Sequence, residues 1–169
     1  NPATIAQLDQ TEIYFTQIKW PAEISYDFFS ITKNIKGRHY FGLNGGILHM
    51  EPMLETTEFF PDGTGNYFTY QDQFVGLTYG AKMTDRFSFG LTIKQVSENL
   101  AGFEMSTFLF DMGTFYWTGY KSLRFCASLS HFGPQVSPIG SYENRIIDKN
   151  SLTRVNYLKQ HLDRILVVR

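Results

Sequence analysis

The sequence contains few of the groups on which common protein chemistries depend. It has one cysteine, Cys126, which excludes an internal disulfide and a cysteine-based zinc cluster. Its 15 Lys and Arg residues are balanced by 16 Asp and Glu residues, for a formal net charge of −1. Because there is no large basic excess to neutralise phosphates, we expect no nucleic-acid binding. Charged residues make up 18% of the chain, below the roughly 25% of an ordinary soluble domain.

Long apolar segments are also missing. No apolar run approaches the roughly 18 to 20 residues that a membrane-spanning helix needs, so we expect no helical membrane protein. A β-barrel stays compatible with the sequence, because barrel strands alternate in polarity and leave the average hydropathy near zero. The chain begins Asn1-Pro2-Ala3, without a methionine or a basic and apolar leader, and we expect a processed chain or a fragment.

Aromatic residues and glycine are abundant. The chain has 16 Phe, 10 Tyr and 2 Trp, together 17% of its residues, and 14 glycines. With so few charges, this composition is that of an ordered chain. The length of 169 residues fits one domain.

Apolar and polar residues alternate along most of the chain. In the segment 87–94 the odd-numbered positions are Phe, Phe, Leu and Ile, and the even-numbered positions are Ser, Gly, Thr and Lys. Strict alternation is typical of strands with one apolar and one polar face. The segment 74–82 repeats the pattern, and a tight turn at 83–86 separates the two. We therefore expect an antiparallel hairpin whose odd-numbered residues share one outward, apolar face.

The alternation predicts about seven strands, at 12–20, 23–33, 38–50, 68–82, 87–96, 104–118 and 123–132. Most are longer than the roughly five or six residues of an average globular strand, and closer to the roughly nine to eleven of a tilted membrane strand. The connections at 34–37, 83–86 and 119–122 are tight, whereas 51–67 is long and 97–103 is intermediate. Outer-membrane barrels combine short periplasmic turns with longer extracellular loops. We predict an all-β, antiparallel up-and-down meander that forms part of a transmembrane β-barrel.

The last part of the chain departs from this pattern. We assign residues 1–136 to the partial barrel and 137–169 to a divergent, charged tail. Five apolar residues of the tail recur at helical spacing: Leu152, Val155, Leu158, Leu162 and Ile165. This spacing indicates a terminal amphipathic helix. The alternative is a stretch without a defined place in the fold.

Motifs for catalysis or cofactor binding are missing from the sequence. The four histidines, His39, His49, His131 and His161, contain no His-x-His or His-x₃-His pair of the kind that binds metals. No Gly-x-Ser-x-Gly elbow of a serine hydrolase occurs. We therefore expect no enzyme, no metal site and no cofactor.

Four charged residues fall on the predicted polar faces of strands: Lys82, Lys94, Asp111 and Arg124. A carboxylate that faces lipid would be very costly, so the face that carries Asp111 should be the barrel lumen. We expect Asp111 to pair there with one of the three cations as a structural salt bridge. A relay for transport is the functional alternative.

The long loop 51–67 is the best candidate for contact with a protein partner. Its partner-binding candidates are Phe59, Phe60, Asp62 and Tyr67. Aromatic anchors commonly dominate interface energy, and the acidic residues at 55, 58 and 62 could steer a basic patch on the partner. The alternative is that the aromatic side chains fold back into the barrel mouth.

Several short segments, taken in order, resemble the PorV/PorQ family of bacterial outer-membrane proteins. They are Asn1-Pro2-Ala3, Lys19-Trp20 followed by Ile24-Ser25-Tyr26-Asp27, the run from Thr84-Asp85-Arg86 to Lys94, Phe110-Asp111-Met112-Gly113-Thr114, and Ala127-Ser128-Leu129-Ser130-His131-Phe132-Gly133-Pro134. The resemblance covers about residues 1–136. It implies a barrel of about fourteen strands, of which this chain would be the N-terminal half.

The resemblance also implies a role in type IX secretion and a place in the outer membrane. Members bind or shuttle secreted protein cargo at the cell surface or belong to the attachment machinery, and so contact outer-membrane lipid, cargo and other secretion components. A second hypothesis is a FadL-like channel for hydrophobic small molecules, against which the mostly polar lumen face argues. A third is a soluble antiparallel sandwich or lectin-like binder, with water against its apolar face. An enzyme ranks last.

Overall fold

The computed structural model describes residues 1–58, 60–139, 141–147 and 155–161, the last two ranges by their backbone alone. A short 3-10 helix, Pro2–Gln7, comes first. The strands are β1 (Glu12–Lys19), β2 (Ile24–Ile35), β3 (His39–Met50), β4 (Met53–Leu54), β5 (Tyr67–Phe68), β6 (Tyr70–Lys82), β7 (Phe87–Leu100), β8 (Phe103–Trp117), β9 (Arg124–Phe132), β10 (Ser141–Ile147) and β11 (Val155–His161).

Seven strands form one antiparallel sheet in the order β1-β2-β3-β6-β7-β8-β9. These are the seven strands predicted from the sequence, and each lies beside the one that precedes it in that series. The predicted all-β antiparallel meander is therefore confirmed. The long loop between β3 and β6 contains an additional hairpin, β4–β5, which the alternation did not predict. Within the described residues the sheet is not closed: β1 and β9 are its two free edges. No helix in the described part of the chain is long and apolar enough to cross a membrane.

The pairing register places most of the large exposed apolar side chains of the sheet on one face. In the β6–β7 hairpin Leu77 pairs with Ile93 and Tyr79 with Leu91, which confirms that their odd-numbered residues share a face. One row of cross-strand partners on this face is apolar in all seven strands: Ile13, Ile31, Leu43, Leu77, Ile93, Phe110 and Phe132. We call this surface the apolar face and the opposite surface the polar face.

The N-terminal 3-10 helix packs against the polar face. Asn1 Nδ2 donates a hydrogen bond to the carbonyl of Thr114 at 2.9 Å, and Gln7 Nε2 donates to Ser88 Oγ at 3.1 Å. Four glycines on the adjacent strands β3, β6, β7 and β8 make room for the helix: Gly42, Gly80, Gly90 and Gly113. A Cβ atom at Gly90 would overlap the backbone of Pro2 and Ala3. The glycines therefore leave a strip of the polar face without side chains, and the N-terminal helix packs closely against the strands there.

Gly90→Ala should loosen the helix from the sheet. The added methyl group meets helix backbone, and overpacking of this kind destabilises by about 1–3 kcal/mol. We expect the amide of Thr4, which donates to the Asn1 carbonyl, to exchange hydrogen at least about tenfold faster. Gly45→Ala is the matched control, since Gly45 lies on the apolar face of β3. Equal exchange rates in the two variants would contradict the packing.

The tail has strands where its leucine spacing predicts a helix. Ser141–Ile147 and Val155–His161 pair as an antiparallel hairpin, with Ile147 opposite Val155. Ile and Val are β-branched and favour extended backbone, and the hairpin places them in cross-strand pairs. Leu152, Leu162 and Ile165 lie outside the described residues.

Candidate functional site

An ion pair lies at the centre of the polar face. Lys94 Nζ in β7 is 2.8 Å from Asp111 Oδ2 in β8, and the two side chains are only 11% and 16% exposed. The other carboxylate oxygen, Oδ1, accepts a hydrogen bond from the backbone N–H of His131 at 2.7 Å. With both oxygens of Asp111 hydrogen-bonded, its charge is tolerated away from water. Of the three cations that the sequence offers, the fold brings Lys94 to Asp111.

A bulge in β9 supplies the third member of this site. The β8–β9 register shifts between Phe110 and Met112, and His131 has a positive φ of 60°. The extra residue turns the His131 N–H towards Asp111. Sequence reasoning missed this contact. The bulge is evident from Leu129 and Phe132, which both lie on the apolar face although they are three residues apart and a regular strand would place them on opposite faces.

A cavity of about 500 Å³ lies beside the pair, between the sheet and the N-terminal helix. Its lining includes Asn1, Thr32, Asn44, Thr78, Lys94 and Asp111. Thr78 Oγ1 is hydrogen-bonded to Thr92 Oγ1 at 2.8 Å. The buried Oδ1 atom of Asn44 has no hydrogen-bond partner within the described residues. Ile5, Leu8 and Phe74 also line the cavity, so its wall combines polar groups with apolar side chains.

The other two predicted lumenal residues, Lys82 and Arg124, lie on the polar face but away from the pair. Lys82 Nζ is 5.5 Å from the ring centre of Tyr40, a fully buried side chain. The Arg124 guanidinium lies 5.3 Å from the ring of Trp117. Both are cation–π contacts near the short turns, where a charged head stays close to water while its stem covers a ring.

The loop 51–67 forms a small hairpin of its own. The Glu55 N–H donates to the Asn66 carbonyl at 2.9 Å, and the Glu55 carboxylate accepts from Thr64 Oγ1 and Asn66 Nδ2. Phe60 and Tyr67 remain 52% and 67% exposed, and Asp62 is exposed at the turn. Phe59 lies outside the described residues. Two of the aromatic candidates are therefore exposed.

A second cavity, of about 230 Å³, lies at the long-loop end of β7 and β8, under residues 133–136. Val96, Met105 and Leu109 supply apolar walls, and Glu98 and His131 lie at its polar side. Thr107 Oγ1, which also lines it, is buried without a hydrogen-bond partner in the described part of the chain. Sequence reasoning missed this cavity, because the segment that covers it follows the last predicted strand.

No group of three or more metal-ligating side chains occurs among the described residues. A comparison of the chain with family models, curated proteins and solved structures found no match.

Proposed function

We propose that this chain is part of an outer-membrane β-barrel protein of the PorV/PorQ type, which binds or shuttles secreted protein cargo at the cell surface and carries out no covalent chemistry. The observation that carries the proposal is the inverted polarity of the sheet. The face that the chain covers buries the hydroxyls of Thr32, Ser88 and Thr92 and the Lys94–Asp111 pair beside Tyr40, Leu109 and Phe115. The face that it leaves open carries most of the large exposed apolar side chains of the sheet, with the Asp27–His49 pair near its long-loop end.

A water-soluble sheet has the opposite arrangement. Its covered face is apolar and its open face is polar, because burial of apolar surface drives folding in water. Here the buried side chains of the covered face include Thr32, Ser88 and Thr92, each at most 6% exposed. Seven strands at a spacing of about 4.8 Å give the apolar face a width of about 30 Å. An open apolar surface of this extent marks an interaction site, and a bilayer covers it completely.

Strand length supports the same placement. The central strands β6, β7 and β8 have 13, 14 and 15 residues. A strand of 13 residues is about 43 Å long, and at a tilt of about 45° it crosses the roughly 30 Å of a bilayer core. Strands of an ordinary sandwich average about five or six residues.

The free edges support a larger barrel. A sheet edge exposed to lipid leaves backbone N–H and C=O groups without partners, at several kcal/mol for each group. β1 and β9 are the first and seventh strands of an antiparallel meander and so run in the same direction. Antiparallel closure then needs an odd number of further strands between them. The two strands of the β10–β11 hairpin, an even number, cannot supply it alone, whereas seven more strands of a fourteen-stranded barrel would.

The β4–β5 hairpin is the proposed cargo contact. It extends from the end of the sheet that carries the long connection between β3 and β6, whereas the other two connections there, 20–23 and 101–102, are short. Outer-membrane barrels place their long loops outside the cell. Phe60 and Tyr67 are exposed aromatic anchors, and Glu58 and Asp62 are exposed acidic neighbours. A cargo domain with a basic rim around an apolar patch would fit this surface.

Replacing both Phe60 and Tyr67 with Ser should weaken binding of a purified type IX cargo C-terminal signal domain about 30-fold or more, since hot-spot aromatics contribute about 2 kcal/mol or more. Tyr120→Ser is the matched control, because Tyr120 is as exposed as Tyr67 but lies at the opposite end of the sheet. Titration calorimetry measures the affinities and thermal melting the stability. If the double variant has lower thermal stability and unchanged affinity, the loop stabilises the fold and does not bind cargo.

One observation favours the second candidate, a FadL-like channel for hydrophobic small molecules. The 230 Å³ cavity has apolar walls of Val96, Met105 and Leu109, of a kind that an alkyl chain would occupy. The larger cavity further along the polar face is lined by hydroxyls and the Lys94–Asp111 pair, so the apolar path is interrupted. This interruption ranks the channel below cargo binding.

A further inference from the structure

The two ends of the sheet carry opposite charge. We define the short-turn rim as residues 33–38, 82–86 and 118–124, and the long-loop rim as residues 20–23, 51–69 and 97–104. The short-turn rim has seven basic residues, Lys33, Lys36, Arg38, Lys82, Arg86, Lys121 and Arg124, and one acidic residue, Asp85. The long-loop rim has seven acidic residues, Glu23, Glu51, Glu55, Glu58, Asp62, Glu98 and Glu104, and no Lys or Arg within these ranges, with Lys19 at the end of β1 as the adjacent basic residue.

The three short turns form one continuous surface. The Lys82 N–H donates to the Arg38 carbonyl at 2.9 Å, and the Trp117 N–H donates to the Arg86 carbonyl at 2.8 Å. These bonds join the β2–β3 turn to the β6–β7 turn, and the β6–β7 turn to the end of β8. Asp9, whose carbonyl accepts from Asn34 Nδ2, and Glu12 at the start of β1 lie near the same edge. They reduce the basic excess of the rim without cancelling it.

The rim also marks the boundary of the apolar face. Lys33 is exposed on the apolar face, directly opposite Phe41. Tyr116, Trp117 and Tyr120 are 43%, 42% and 67% exposed at the same end. Aromatic rings next to Lys and Arg at the end of an apolar surface are typical of the headgroup layer, where the rings and the charged heads both meet polar lipid.

We propose that the short-turn rim binds the headgroups of anionic phospholipids in the leaflet that it faces. This proposal rests on the proposed membrane placement of the apolar face. The turns are too short to carry a separate protein-binding domain, so the groups nearest to these cations in a bilayer are lipid phosphates. The acidic long-loop rim repels the same headgroups, so the two rims differ in their affinity for an anionic leaflet.

The test compares insertion of the whole barrel of which this chain is the proposed first half, refolded from detergent, into vesicles of phosphatidylcholine and into vesicles in which one third of the lipid is phosphatidylglycerol. Flotation measures the bound fraction. Each Lys or Arg near an anionic surface strengthens binding about fivefold at low salt. We expect a preference for the anionic vesicles that falls as salt is raised. The triple variant Lys33→Gln/Lys36→Asn/Arg38→Gln should reduce it by up to about 100-fold, with binding to neutral vesicles unchanged.

The matched control is Glu51→Gln/Glu58→Gln/Asp62→Asn at the long-loop rim, which changes the net charge by the same amount in the opposite direction. All six side chains are exposed, and Asn at position 36 tolerates the positive φ of 55° found there. The control should keep or increase the wild-type preference for anionic vesicles, because it removes only negative charge. If the wild type enters both vesicles equally, or the basic-rim variant keeps its preference, the lipid proposal fails and the membrane placement stands. If the wild type enters neither vesicle, both fail.

Discussion

Replacing Leu77 with Arg should destabilise the bilayer-inserted protein by about 2–4 kcal/mol, the penalty for a cation on the lipid face near the midplane. Leu77 lies near the middle of β6, is 65% exposed and belongs to the apolar row that crosses the sheet. Urea titration of the protein in vesicles measures the change.

Gln71→Arg is the control for depth. Gln71 is exposed on the same face of β6 but lies near the strand end, where the penalty falls to about 0–1 kcal/mol. Equal effects of the two substitutions would place the apolar face in water. There, an exposed Leu→Arg change alters stability by about 0.5 kcal/mol or less, wherever it lies on the strand.

Asp111→Leu should have the largest effect of any single substitution on the polar face, a loss of about 3–5 kcal/mol. It leaves the ammonium of Lys94 largely buried without its partner, and it removes the acceptor of the His131 N–H. Chemical denaturation with and without the substitution measures the loss.

The double variant Lys94→Met/Asp111→Leu should recover much of that stability, because a buried ion pair is often replaceable by apolar side chains of similar volume. A double-mutant cycle with Lys94→Met gives the coupling energy of the pair. A coupling energy near zero would mean that the two groups are not paired in the folded protein.

The seven strands of the main sheet could be predicted because their polarity alternates with a period of two and turn residues separate them. The shared face of β6 and β7 followed from the four-residue turn between them, which sets a register in which Leu77 meets Ile93. The same period predicted a polar face for Lys94 and Asp111 without any contact information.

The partner of Asp111 could not be chosen from the sequence, because the choice depends on the β7–β8 register. The sequence indicated a connection at 97–103, whereas β7 continues to Leu100 and the turn consists of Ala101 and Gly102 with positive φ. Only this tight turn places Thr92 opposite Asp111, and Lys94 diagonal to it. The β9 bulge that brings the His131 N–H to Asp111 is likewise a local break in the alternation.

The alternation of polar and apolar residues also could not predict which segments pack together over long sequence distances. The 3-10 helix docks through Asn1, which is hydrogen-bonded to Thr114 more than one hundred residues away. In the sequence, the glycines against which the helix packs look like ordinary small residues of a polar face. The tail hairpin was missed because the spacing of the apolar residues from Leu152 onward fits a helix. In the structure Val155 pairs with Ile147, which precedes that segment.

The central claim is that the apolar face contacts lipid, and nitroxide scanning along β6 tests it most directly. In a Cys126→Ser background, single cysteines at positions 74, 75, 77, 78 and 79 carry the spin label in the vesicle-inserted protein, and collision rates with oxygen and with a water-soluble nickel complex are measured. Gly76 and Gly80 are left unchanged, because a side chain there would clash with Asn44 and Ile5. Lipid contact predicts alternation: labels at positions 75, 77 and 79 collide mainly with oxygen, whereas those at 74 and 78 do not. Labels at 75, 77 and 79 that collide with the nickel complex as freely as their neighbours would contradict it.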